Sequence, residues 1–190
     1  MLKRFIFLVL FGLASLFSKA WATHIVGGEI AIQVLSGYNY EIRLNLLFDK
    51  INGNIAAKDE TVLVGIFEKI TNRRVAQVSM PLRQEILLTP SAEFCTTANY
   101  QTLLIIYTNV LYMDPNYYSS NNGYYMSYMR CCRNEVITNI EAPGDANNTF
   151  YTEFPPLNSP RYHTYGRAYN SPKYSIPKMD FACVGRDYEL

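Results

Sequence analysis

Four cysteines and two histidines carry the most specific chemistry in this chain of 190 residues. Cys131 and Cys132 are adjacent, Cys95 lies upstream and Cys183 downstream. A structural zinc site usually takes closely spaced thiolate pairs of the C-x-x-C kind, and none occurs here. His24 and His163 also lie far from the cysteines in sequence, so no metal and no other cofactor is expected. An even number of cysteines in an exported chain reads instead as a disulfide framework. Joining Cys131 directly to Cys132 would close a small, strained ring. Cys95 and Cys183 are therefore each expected to take one of the adjacent pair, and the sequence leaves open which takes which. Closing such loops stabilises by about 3–4 kcal/mol each in the chain-entropy account.

The oxidising compartment that this requires is signalled by the first residues. Lys3 and Arg4 form a basic start, Phe5 to Phe17 an apolar stretch, and Ala20-Trp21-Ala22 a small-residue cleavage site. That order of features is a secretory signal peptide over residues 1–22, with the mature chain beginning at Thr23. The apolar stretch is short for a membrane span, and no later segment is apolar enough to be one. Losing Lys3, Arg4 and Lys19 with the leader turns a net charge of +1 into −2. No clustered basic face is left to suggest a nucleic-acid partner.

Other chemistry-bearing patterns lead nowhere. Ile25-Val26-Gly27-Gly28 is similar to the mature start of trypsin-like proteases, but the nucleophile and histidine settings of those enzymes are missing. No serine triad can be assembled around His24 or His163. The acids Glu29, Asp49 and Asp114 are scattered, with no spacing that marks a catalytic pair. No nucleophile elbow, metal motif or phosphate loop appears.

The elements that must hold these residues read as strands. Sixteen tyrosines and ten phenylalanines, with many β-branched residues, favour sheet over helix. Tyr40, Ile42, Leu44, Leu46 and Phe48 are apolar at every second position, the signature of a strand with one buried face. Glu29 to Leu35 precedes it across Ser36-Gly37, so the two should form a hairpin. Thr61 to Ile70 is nearly continuous in apolar residues and should be central. Two shorter pieces follow at Val75–Met80 and Glu85–Leu88, and Tyr100 to Val110 should be buried on both faces. Gly123 to Ile140 should hold an aromatic strand, the cysteine pair and a second apolar alternation, with Cys131 and Cys132 pointing to opposite faces. Thr149 to Phe154 can be a last strand, and Asn147-Asn148-Thr149 fits a glycosylation sequon. About eight short strands without a confident amphipathic helix predict an all-β fold, an antiparallel Ig-like β-sandwich over residues 23–154 with a barrel as the rival. Residues 155–190 read as an extended, Pro- and Tyr-rich irregular segment, at which a further domain could begin.

The most loop-like stretch is 113–123, MDPNYYSSNNG. It carries Tyr117 and Tyr118, which either fold back on the sheet or form an exposed contact loop at one end of the sandwich.

Three stretches in order resemble the N-terminal region of large surface proteins of gliding bacteria, the gliding-motility-associated class exported by type IX secretion. These are ATHIVGGEI with NYEIRLNLLFDK, then GYYMSYMRCCRNEVITNIEAPG with TFYTEFP, then NSPRYH through FACVGRDYEL. The resemblance covers nearly all of the mature chain and implies an Ig-like or other β-sandwich opening module of an adhesin-like protein. Members often carry an aromatic-Arg-Asp-Cys run where this chain has Phe48-Asp49-Lys50, and an acidic Asp-x-Asp-Gly stretch follows their last motif.

The expected function is thus a non-catalytic, disulfide-stabilised adhesion module at the cell surface or outside the cell. Its partners would be other surface or envelope proteins, or an extracellular protein or glycan. The rival is a small periplasmic or outer-membrane accessory protein, and behind it an extracytoplasmic hydrolase.

Overall fold

A computed structural model describes residues 25–53, 58–88, 101–131, 133, 137–159 and 169–172. Its strands are β1 (Ile25–Ser36), β2 (Asn39–Asp49), β3 (Thr61–Glu68), β4 (Arg74–Leu88), β5 (Thr102–Tyr112), β6 (Tyr124–Cys131) and β7 (Asn147–Phe154). Every ladder between them is antiparallel. The expected antiparallel all-β class is what the chain forms. The hydrogen-bonded order is β1-β2-β5-β4-β3-β6-β7, a single sheet of seven strands whose two edge strands approach each other.

The sheet bends at β4. Thr61 to Phe67 pair with the first half of this strand, from Pro81 back to Arg74, whereas Leu82 to Leu88 pair with β5. Pro81 stands where the partner changes, and its missing N–H removes a donor that neither ladder needs there. The register slips between Leu82 and Gln84, which adds local twist where the strand changes partner from β3 to β5. What reads in sequence as two pieces, Val75–Met80 and Glu85–Leu88, is therefore one long strand serving both β3 and β5.

Burial follows the alternation. Tyr40, Ile42, Leu44, Leu46 and Phe48 are all at most 2% exposed. Burying each is worth about 1.5–3 kcal/mol, so a one-residue slip of β2 would expose the whole row. From β3, β4 and β6, Val64, Ile66, Met80 and Met126 complete the same core. Strand β5 is buried on both faces: Ile105 and Tyr107 join the main core, while Leu104 and Ile106 join Leu88 in a smaller cluster on the other side. β3 is central as expected but alternates instead of being buried throughout, since Leu63 is exposed between Val62 and Val64. Gly37 closes the β1–β2 hairpin in the left-handed region, φ 54°.

Two expectations need correction. Residues 138–140 form bends, not strand, so the described part of the second apolar alternation after the cysteines does not extend β6. The last strand also starts earlier than Thr149, because Asn147 and Asn148 already pair with Cys131 and Arg130.

Candidate contact surfaces

The 113–123 segment caps one end of the sheet, and backbone hydrogen bonds fix its path. The N–H groups of Tyr117 and Tyr118 donate to the Asp114 carbonyl, and the Tyr118 carbonyl accepts from Leu157 N–H (2.8 Å). Asp114 Oδ1 also accepts from Asn116 N–H at 2.9 Å. Ser120 Oγ donates to Glu68 at 2.8 Å, and Thr71 donates to the same carboxylate from the other side. These two hydrogen bonds hold the Glu68 carboxyl below its ordinary value.

The two tyrosines part company. Tyr118 is 4% exposed, set edge-on to Tyr124 (5.2 Å between ring centroids) and tilted against Phe154 (6.0 Å). Burial pushes its phenol up to about 12, with Tyr117 and Tyr124 adding to the effect. Of the two alternatives, Tyr118 therefore folds back on the sheet, and its place in an exposed contact loop is corrected. Tyr118 is a core residue, because the ring has an apolar slot between β6 and β7 to fill. Tyr117 remains 56% exposed, though tethered: its hydroxyl donates to the Val75 carbonyl at 2.8 Å. A contact surface here has one tyrosine, with Asn121 and Asn122 exposed nearby in the chain.

A second group of rings lies on the outer face of β3, β6 and β7. Phe67 and Tyr125 are opposite each other in the register and stack at 5.0 Å and 12°. Tyr125 meets Tyr151 at 5.0 Å and 33°. Phe67 leans over Gly65, where a Cβ would come within 2.4 Å of its ring. The Tyr151 hydroxyl donates to Glu153, whose other oxygen pairs with Lys69. Rings stacked in this way spend their faces on each other, so this row works first as a cross-strand ladder holding three strands.

The acids are used locally. Asp49 accepts from the backbone N–H groups of Ile51 and Asn52, capping the turn after β2. Glu29 accepts from Asn45 Nδ2 at 2.8 Å across the β1–β2 pair. Glu41 pairs with Arg43, Glu85 with Lys58, Asp59 with Arg130 and Glu68 with Arg73. The structure thus brings no two of Glu29, Asp49 and Asp114 together by any of these contacts. Glu29 does line a groove of about 300 Å³ on the outer face of β1 and β2, with Gln33, Glu41, Arg43, Asn45 and Pro172. Asn45 Oδ1 is buried there without a hydrogen-bond partner among the described residues.

Among the described residues, no three His, Cys, Asp or Glu side chains gather as metal ligands, and no helix is long and apolar enough to cross a membrane. Cys131 ends β6 on its outward-facing parity and carries no free thiol. Cys95, Cys132, Cys183, His24, His163 and the leader 1–22 lie outside the described residues.

Sequence reasoning missed Asn148 and Ser171, two buried polar residues that bond the outer edge of β1. Only the Asn-Ser-Pro spelling around Ser171 hinted at an irregular segment with polar side chains able to bond backbone.

Comparison with protein-family models, with curated proteins and with solved structures returns no match for this chain.

Proposed function

We propose that this chain is a non-catalytic exported module of the cell surface, an adhesion domain of Ig-like architecture. The observation that carries the reading is the use made of its polar side chains. Acids cap turns or pair with a basic neighbour, and most of the described rings bury or stack, so the described surface is one of scaffolding and contact. The Ig-like part is supported by strand order. β1-β2-β5-β4 and β3-β6-β7 follow the order A-B-E-D and C-F-G of the seven-stranded immunoglobulin plan, with β4 bridging the two layers. A leader followed by a cystine-linked domain fits export, and the resemblance to gliding-associated surface proteins names the setting. Cystines at Cys95, Cys131, Cys132 and Cys183 belong to the same reading. Tyr117 is the residue best placed for contact at the loop end.

The test is an immunoblot of fractionated cells that make the protein natively, with antibody against residues 23–190. Surface exposure, shown by loss of the band when intact cells are treated with protease, supports the adhesion reading. A protected periplasmic band would replace it with the accessory reading. Mass spectrometry of alkylated, unreduced protein tests the cystines, because alkylation at any of the four cysteines would overturn that part.

A further inference from the structure

The two edges of the sheet are stitched together over only part of their length. At the start of β1, buried Asn148 donates from Nδ2 to the Ile25 carbonyl (3.1 Å), and Ile25 forms an isolated parallel bridge with Arg133. Phe150 of β7 lies within 2.9 Å of where a Cβ on Gly28 would be. Farther along β1, residues Ile32 to Val34 are bonded by Asn170 and Ser171 instead. The Ser171 N–H donates to the Ile32 carbonyl (2.8 Å), and its hydroxyl accepts from the Ile32 N–H (3.0 Å). Its carbonyl accepts from Gln33 Nε2 (2.5 Å), and Asn170 Oδ1 accepts from the Val34 N–H (2.7 Å). Ser171 is 7% exposed, and Tyr169 packs against the core and shares a cleft with Phe154, Pro155 and Pro156.

This segment stands in for a strand without being one. It satisfies the outward N–H and C=O of Ile32 and the outward N–H of Val34, groups that an edge strand otherwise offers to any extended chain. Two of its acceptors are side chains, and Pro172 has no N–H to continue a ladder. Among the described residues four hydrogen bonds join it to β1, and all four could be made equally by an identical segment from elsewhere.

We propose that the β1 margin from Ile32 to Val34 is a strand-docking site for an extended Tyr-Asn-Ser-Pro segment. Its own Tyr169–Pro172 fills it within the chain, and the same segment of a second copy fills it between chains. The residues between Ser159 and Tyr169 can reach at most about 35 Å when extended, enough to pass from one molecule to an adjoining one. Since the same hydrogen bonds form either way, exchange depends on concentration: a tethered segment competes at an effective concentration of order mM. A concentration of copies above that range is the condition that favours the intermolecular form. The inference rests on the fold alone and stands or falls separately from the adhesion reading.

The experiment uses the full mature chain and a fluorescent peptide spanning Ala168–Tyr174. The variant N170A/S171A, whose own segment is weakened, should bind the peptide at least tenfold more tightly than the parent by fluorescence polarisation. A peptide with both positions changed to alanine should bind that variant at least tenfold more weakly. A folded variant that binds neither peptide, or both equally, overturns the site. Should the double variant fail to fold, Ser171→Ala is read by hydrogen exchange. Exchange at the Ile32 and Val34 amides rising severalfold and falling again with added peptide supports the site, and unchanged exchange overturns it. For the second copy, a photoreactive phenylalanine replaces Tyr169 in isotopically light and heavy chains mixed at high concentration. Light-to-heavy cross-links onto the Phe154–Pro156 cleft support exchange, and cross-links within single chains alone refute it.

Discussion

Replacing Tyr118 by alanine should unfold this domain far more readily than replacing its neighbour Tyr117, although both sit in the same short loop. The Tyr118 ring is 4% exposed and meets the rings of Tyr117, Tyr124 and Phe154 at 5.1, 5.2 and 6.0 Å. Truncating a buried aromatic side chain to alanine costs about 3–5 kcal/mol, because the hole cannot fully collapse. Its backbone bonds to Asp114 and Leu157 survive the change, so the loop keeps its path and the cost is that of the ring. Tyr117 loses one hydrogen bond to the Val75 carbonyl, about 0.5–1.5 kcal/mol, from a ring already 56% exposed. For a chain of this length each kcal/mol shifts Tm by about 2–4 °C. Tyr118→Ala should therefore lower Tm by roughly 6–20 °C and Tyr117→Ala by roughly 1–6 °C. Calorimetric melts of the mature chain decide it. A Tyr118→Ala variant melting within about 2 °C of the parent, or a more damaging Tyr117→Ala, would show that the ring is not part of the core.

Tyr40→Phe should raise stability by about 1 kcal/mol, since the buried Tyr40 hydroxyl has no hydrogen-bond partner and its desolvation is uncompensated; urea unfolding midpoints check this. Gly123→Ala should cost about 1–2 kcal/mol or more, because φ there is 74° and the new Cβ would sit 2.7 Å from the Phe154 carbonyl oxygen. The same change at Gly37, also left-handed but with open space around it, should cost less, which separates backbone strain from collision in paired melts. Stability should fall as pH rises from about 10 to about 12. Burial pushes Tyr107, Tyr118 and Tyr128 up to about 12, so the unfolded chain gives up these protons first and deprotonation favours unfolding across that window. Tyr118→Phe should flatten the fall, and a pH-independent melting temperature up to pH 12 would contradict it.

Strands were legible where one physical signal dominated. The alternation from Tyr40 to Phe48 was enough to place β2, its buried face and the hairpin with β1, because nothing in the tertiary structure competes with a two-residue period. β4 was read as two pieces because Pro81 and the polar run Arg83-Gln84-Glu85 look like a break. A strand that changes pairing partner midway accommodates just such residues, and local sequence cannot tell a handover from a stop. Tyr117 and Tyr118 were inseparable in sequence because a loop has no period. Which of two adjacent rings turns inward depends on the slot that Tyr124 and Phe154 leave, and that slot belongs to other strands.

The closure of the sheet was hardest to foresee, for a reason that bears on how the domain works. Its bonds join residues more than a hundred positions apart, Ile32 to Ser171 and Ile25 to Asn148, through single polar side chains that have no pattern of their own. A hydrophobic seam would have announced itself as a further alternating strand. A seam of amide and hydroxyl groups does not, and each such bond contributes only about 0.5–1.5 kcal/mol net. That modest strength has a consequence. The β1–β2 hairpin is held by a ladder along nearly its whole length, whereas among the described residues the far side of β1 is held by separate polar contacts. Local opening should therefore begin at the seam, with the Ile32 and Val34 amides exchanging before those of β2 and β5. Hydrogen exchange resolved by residue would show this order, and simultaneous exchange across β1, β2 and β5 would mean that the seam opens only when the whole sheet does.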